Sequence, residues 1–434
     1  MICLLAIVLF VQIFLSLKFV KGDILSPLAL SYESFFISAF VAAIGMILWG
    51  NDINVQTFFT VLVSLMFFSV GFLLVPFPKR RNRRADNKGY IIIDRKISLF
   101  FLLWNIIILC LTFIKTLQIA KGVNETADLS NMLHYARNAY LFSDASLGII
   151  LSLAGFSVVA IGYFYTYIVI NNMIYKKRGK RIVGLDILLN CSIIFVSLLL
   201  NTLSSSRTFL IKWLVVVIVF YFYTMKFKNK ISSFNILKII KIALCLVGVL
   251  VLFFLMFQLL GMATGKTGTL TIMRMLYLYS GAALPALAES LKIYKYDGRI
   301  FGEESLYGFY SLLNHFGLNI PNDTAHLPFV TLADGSTTNI YTSLRTYLYD
   351  FGYIGMFIVQ LILGIIMGIL YRKLIMKYED NPVYLCFYGI LMYGVVMQGL
   401  AEILLKEFMA LTNISIIVVF TVLYNFFIKR KIKV

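Results

Sequence analysis

The chain has 434 residues, 60% of them hydrophobic and only 14% charged, with a mean hydropathy of +0.89. A soluble domain is about half apolar and a quarter charged, so this composition excludes one. The net charge of +19 does not signal nucleic acid, because the basic residues stand in short clusters between apolar runs.

Those runs reach about 20 residues, the length that crosses a bilayer as a helix. Backbone groups in lipid must be satisfied within the segment or a closed barrel, and the runs are continuous where a barrel would alternate. No basic residue precedes the first run, which reads as a span and not as a cleavable signal. Spans are expected near 2–20, 29–49, 57–77, 98–119, 146–174, 182–203, 208–225, 238–260, 346–371, 383–403 and 408–428. The expected fold class is therefore all-α: a polytopic integral membrane protein with about eleven transmembrane helices and one large extracytoplasmic loop containing short helices. Residues 1–260 hold eight spans and an outer segment near 121–145, residues 261–345 form the large loop, and 346–434 hold three spans and a basic tail.

Alternate connections carry Lys18 and Lys21, KRRNRR (79–84) with Lys88, Arg95 and Lys96, KKRGKR (176–181), a lysine group from Lys226 to Lys241, Arg372 to Lys377, and the C-terminal KRKIKV. They hold 27 of the 39 Lys and Arg residues, which predicts a cytoplasmic C-terminus and an outside N-terminus. His134, His315 and His326 then all lie outside. Within the large loop, 283–295 and 303–316 have helical spacing, and 318–338 has the composition of an irregular loop. No internal repeat is evident.

Several chemistries are missing. GMATGKTG (261–268) has three residues where a phosphate loop needs four. There is no HExxH and no GxSxG. The cysteines, Cys3, Cys110, Cys191, Cys245 and Cys386, show no paired spacing, so neither a disulfide framework nor a metal site is expected.

Charges at the outer interface are the functional candidates. Arg207 lies in NTLSSSRTF, Arg274 in TLTIMRMLYLYSG, and Arg345 in TTNIYTSLRTYLYDFGYIG, five residues before Asp350. Arginine binds phosphate bidentately, so the three could form a cationic mouth for an anionic head group; the alternative is independent snorkelling anchors. Outer groups able to act as a base are the three histidines, Glu289, Glu303, Glu304, Asp323 and Asp350. His315 reads as a packed helical histidine, and His326, on a loop, as the better base. Glu402 and Lys406 are spaced for a helical pair.

The organisation resembles the Wzy-type oligosaccharide repeat-unit polymerases of bacterial O-antigen and capsule synthesis. The likeness rests on SSSRT (204–208), YLYSGAALPALAESL (277–291), and above all on Asn339, Tyr341, Thr342, Arg345, Asp350-Phe351-Gly352 and Gly355. Arg137 and Gly148 match an Arg-to-Gly spacing described for some members, a match of little weight. The resemblance implies a multi-pass enzyme of the bacterial cytoplasmic (inner) membrane that needs no cofactor. Its substrate would be an undecaprenyl-pyrophosphate-linked oligosaccharide, and it would join repeat units on the outer side. A chain-length regulator and a flippase are the implied partners. In this scheme Arg207, Arg345 and Arg274 hold the pyrophosphate, and His326, Asp350 or Glu289 serves the acceptor. The competing expectations are an O-antigen ligase and a lipid-linked oligosaccharide flippase or other transporter.

Overall fold

The computed structural model describes residues 1–76, 90–128, 131–142, 145–175, 184–203, 208–227, 272–293, 300–321, 327–377 and 381–429. Among them nine helices are long and apolar enough to cross a membrane, and the chain is an all-α, multi-pass membrane protein. The span expected at 238–260 lies outside the described residues, as do Arg207 and His326.

In chain order the helices are α1 (Ile2–Phe19), α2 (Pro27–Trp49), α3 (Val55–Leu74), α4 (Arg95–Val123), α5 (Met132–Phe142), α6 (Ile149–Ile174), α7 (Gly184–Thr202) and α8 (Thr208–Phe227). There follow α9 (Ile272–Leu276), a π turn (Tyr277–Gly281), α10 (Ala283–Ile293) and α11 (Tyr307–His315). A two-residue hairpin pairs β1 (Val330–Thr331) with β2 (Thr337–Thr338), inside the stretch expected to be wholly irregular. The last helices are α12 (Ser343–Lys377), α13 (Pro382–Met397), α14 (Leu404–Phe408) and α15 (Leu411–Tyr424), with a closing π turn at Asn425–Lys429.

The chain divides into two units. In unit 2, built on 83–269, 380–389 and 414–434, α4 packs on α5, α6 and α7, and Gly162 of α6 lets Ser197 of α7 lie against its backbone. In unit 1, which holds 1–82, 270–379 and 390–413, the closest helix pair is α3 with α12. Gly364 of α12 sits on the carbonyl of Phe68, Gly368 on that of Phe72, and Gly71 of α3 on that of Leu361. Gly364 and Gly368 form a GxxxG motif. In lipid, where no hydrophobic force joins helices, such small residues let backbones approach.

Helix α12 is two arms. Gly352 has φ 68° and ψ −177°, a conformation suited to glycine alone, and separates 343–351 from 353–377. Their course can be read against α2. Before them, Asp334 in the hairpin turn donates its amide to Asn51, just beyond the C-terminal end of α2. By Ser343 the chain has reached the other half of that helix: the Ser343 amide donates to the Gln398 carbonyl, and Gln398 Oε1 accepts from Ser31 Oγ. Ser31 lies about 27 Å along the axis from Trp49 at 1.5 Å per residue. The first arm then returns, because Tyr353 is bonded to Gln56 in the first turn of α3. The second arm runs the full length, so that Tyr371 donates to Asp23 ahead of α2 at 2.9 Å. Residues 335–351 are thus a re-entrant hairpin, where a loop ending at 345 and a plain span from 346 were expected.

The span expected at 383–403 also differs. Helix α13 ends at Met397, because the following groups bond outside it: the Gly399 amide donates to Ser34 Oγ, and the Gln398 carbonyl takes the start of α12. Glu402 is consequently not on a helix with Lys406. Its carboxylate accepts the Leu405 and Lys406 amides at 2.8 and 3.0 Å and so caps α14, as hydrogen bonds to orphan N-terminal amides do.

Candidate functional site

The first arm carries Arg345, Tyr347, Tyr349 and Asp350 within about one and a half turns, and the segment 301–306 lies beside it. Arg345 is ion-paired with Glu304, both almost fully buried. Its guanidinium stands 5.1 Å from the Tyr341 ring centre and 5.0 Å from that of Tyr349, where the ring faces favour a cation. Asp350 accepts the amides of Glu304 (3.1 Å) and Ser305 (2.7 Å) and the Ser305 hydroxyl. Phe351 packs on Phe301 with centroids 5.0 Å apart. Asp350 and Phe351 therefore clamp one turn, 301–306, which presents Glu304 to Arg345.

On the other side, Tyr347 donates to Glu402 at 2.9 Å, and Lys406 Nζ lies 5.0 Å from the Tyr307 ring centre. Gly308 of α11 allows that helix to sit on the Lys406 carbonyl. Burial pushes the Glu304 carboxyl above its ordinary value, with Arg345 opposing. Burial likewise lowers Lys406, against the charges of Glu402 and Glu304. The result is a buried network of alternating charge, Arg345–Glu304 and Glu402 beside Lys406, with aromatic rings at its edges.

Arg274 forms a separate pair with Asp334, between Trp49 (4.6 Å) and Tyr277 (5.5 Å). Burial acts to raise Asp334, but hydrogen bonds from Ser336 and Arg274 outweigh it and hold that carboxyl below its usual range. The two arginines border one apolar cluster of Tyr277, Ala282, Ala286, Leu332 and Tyr341. Chemically, each guanidinium is charge-compensated by a carboxylate that an incoming phosphate would have to replace.

No known family model, curated protein or solved structure matches this chain.

Of the residues singled out from sequence, the structure brings Arg345 and Asp350 together and sets Arg274 on its own pair. Glu289 lies on α10 with its carboxylate on Lys292 at 2.8 Å. His315 is exposed, with Nδ1 against the Ser311 carbonyl, where a packed ring was expected. Asp350 engages backbone and a hydroxyl, and the carboxylate paired with Arg345 is Glu304. Glu304 stood among eight outer titratable groups with nothing to rank it. Its signal was weak: an acidic pair, Glu303-Glu304, in a stretch of helical apolar spacing. Among the described residues no group of His, Cys, Asp and Glu could hold a metal ion.

Proposed function

We propose that the protein is an oligosaccharide repeat-unit polymerase of the bacterial cytoplasmic membrane, using undecaprenyl-pyrophosphate-linked units on the outer face. The observation that carries this reading is the buried Arg345–Glu304 pair, held by Asp350 at the end of a re-entrant arm. It supplies the two groups that glycosyl transfer from a pyrophosphate requires. The C1–oxygen bond to pyrophosphate breaks with its electron pair, and Arg345 neutralises the charge that develops on the leaving group. The acceptor hydroxyl forms the new bond to C1 and gives its proton to Glu304. Before reaction Glu304 neutralises Arg345, and substrate exchanges that pair for two new ones. Arg274 extends the cationic surface; Arg207, outside the described residues, is a further pyrophosphate ligand in this scheme. Asp350 holds the turn in this scheme, and His326 or Glu289 is the alternative proton acceptor.

The test is the surface-polysaccharide ladder on a gel from a strain lacking this gene. Complementation with wild type restores the ladder, while Arg345→Ala and Glu304→Gln leave single-unit products although the protein is present in the membrane. A normal ladder from both variants sinks the assignment.

One observation favours a second reading. Re-entrant and broken helices line binding sites in transporters, and unit 1 has both a re-entrant hairpin and a helix that stops at Met397. If the deletion strain accumulates lipid-linked sugar on the cytoplasmic side, a flippase is supported. Long lipid-linked polymer on the outer side supports a ligase.

A further inference from the structure

Helix α2 holds a single charged residue, Glu33, which takes no part in the site above. Its carboxylate makes no hydrogen bond and no ion pair with any described residue. One face of the helix, with Ser31, Phe35, Ser38 and Ala42, is fully buried. Glu33 belongs to the opposite, outward face and shares its stripe with Ile37, Phe40 and Ile44, all exposed. It lies six residues from Pro27, about 9 Å along the axis. An apolar outward face is what lipid requires and by itself says nothing. A carboxylate on that face, at that depth, is costly unless a cation comes to it.

Helix α1 carries a cation at the same end. It runs antiparallel to α2, since residues 20–26 join them at one end and Met1 is ion-paired with Asp52 beyond the other. Phe10 meets Phe36 with ring centres 5.5 Å apart; Phe14 follows Phe10 at 5.0 Å, and Phe40 follows Phe36 at 6.0 Å. Two stripes thus run side by side, Phe10, Phe14 and Lys18 on α1 and Phe40, Phe36 and Glu33 on α2. Counted from the Phe10–Phe36 contact, Lys18 is level with Leu28, about 7–8 Å from Glu33 along the axis. Lys18 is exposed and, like Glu33, has no ion pair with any described residue. Helical side chains lean toward their own N-terminus, so on antiparallel helices Lys18 and Glu33 lean toward one another's level. Within one chain they make no pair; across a two-fold axis they can.

We propose that the outward face of α1 and α2 is the contact between two copies of this chain in the membrane, related by a two-fold axis along the membrane normal. Both copies insert the same way up, so the axis takes that direction, and an isologous contact makes every pairing reciprocal. Glu33 of one copy pairs with the partner's Lys18, and Lys18 with the partner's Glu33. The phenylalanines pack between the two pairs. In lipid it is packing and polar contacts that join helices, and this face offers both. The contact is independent of the glycosyl-transfer reading, since it involves no residue of 301–306 or of the re-entrant arm.

The full-length protein is reconstituted in liposomes as two populations, one labelled with a donor and one with an acceptor fluorophore, and energy transfer is followed as lipid dilutes the protein. Wild type is expected to associate. Glu33→Lys and Lys18→Glu each set like charges against one another and should weaken association about tenfold or more. Both positions face outward, so both variants should melt like wild type in detergent. Mixed together, the two variants present opposite charges at both pairings and should associate as wild type does, an outcome that neither misfolding nor a contact within one chain produces. A wild type that stays monomeric, whether bare or with a phospholipid retained on this face, overturns the proposal. So does association unchanged in the single variants, or a mixture of well-folded variants that associates no better than either alone.

Discussion

Asp350 and Glu304 are neighbouring carboxylates with opposite duties. Asp350 receives three donors, so Asp350→Asn sets an amide NH2 against a backbone amide that itself donates. Hydrogen bonds to a charged group contribute about 1.5–3 kcal/mol each, so this variant should lose several degrees of Tm in a thermal melt and release the 301–306 turn. Glu304→Gln, by contrast, keeps the shape of its side chain and should lose polymer formation more than stability. The raised pKa of Glu304 adds a pH signature. Burial, its largest cause, makes the folded state hold the proton longer than the unfolded chain. The group's contribution to stability is therefore fully present below the ordinary glutamate value and is lost as pH rises through the elevated one. Polymerising activity that uses Glu304 as a base rises across that same window. Opposed slopes of Tm and rate, both flattened in Glu304→Gln, are the expected outcome of paired pH titrations. A rate independent of pH there removes Glu304 from the proton transfer.

Hydropathy reveals that a helix exists and not how it is interrupted. The spans were legible because lipid demands apolar runs of a set length. The two arms of α12 were not, since the break rests on one φ angle at Gly352 and on tertiary bonds from Asn51, Ser31 and Gln56. The end of α13 at Met397 was hidden for the same reason: Ser34, 365 residues from Gly399 in sequence, supplies the competing partner. At the junction, Gly352→Ala forces a side chain into a region costing about 1–3 kcal/mol and should lower Tm accordingly. At the α3–α12 crossing, Gly364→Leu places a side chain on the Phe68 carbonyl and should destabilise by about 1–3 kcal/mol or more, measured by the same melt. Gly122→Ala in α4 meets no atom within 4 Å and should be neutral or stabilising by up to about 1 kcal/mol. If Gly364→Leu melts like wild type, the close approach of these helices is not what holds them.

Across the whole chain, the alternation of basic clusters assigns 27 of 39 Lys and Arg residues to one side. Cysteine-labelling of intact cells tests that assignment: Ser336→Cys should react with an impermeant thiol reagent, and Lys21→Cys only after lysis. Of the candidate site, the sequence disclosed its arginines and the Asp-Phe-Gly pattern, because charge at membrane depth is rare. It did not disclose their partners, because Glu304, Asp334 and Glu402 lie 41, 60 and 55 residues from the groups they meet.

Both ends of α2 are tied to a chain that comes from elsewhere, Asn51 to Asp334 and, ahead of the helix, Asp23 to Tyr371. Ser31 and Ser34 fasten the interior to the turn after Met397. The helix thus works as a gauge block whose length is matched to the distance between fixed points. An extra turn would add about 5.4 Å and could not meet both ends. Natural variation along α2 should therefore consist of replacements, with insertions and deletions confined to connections that carry no such ties.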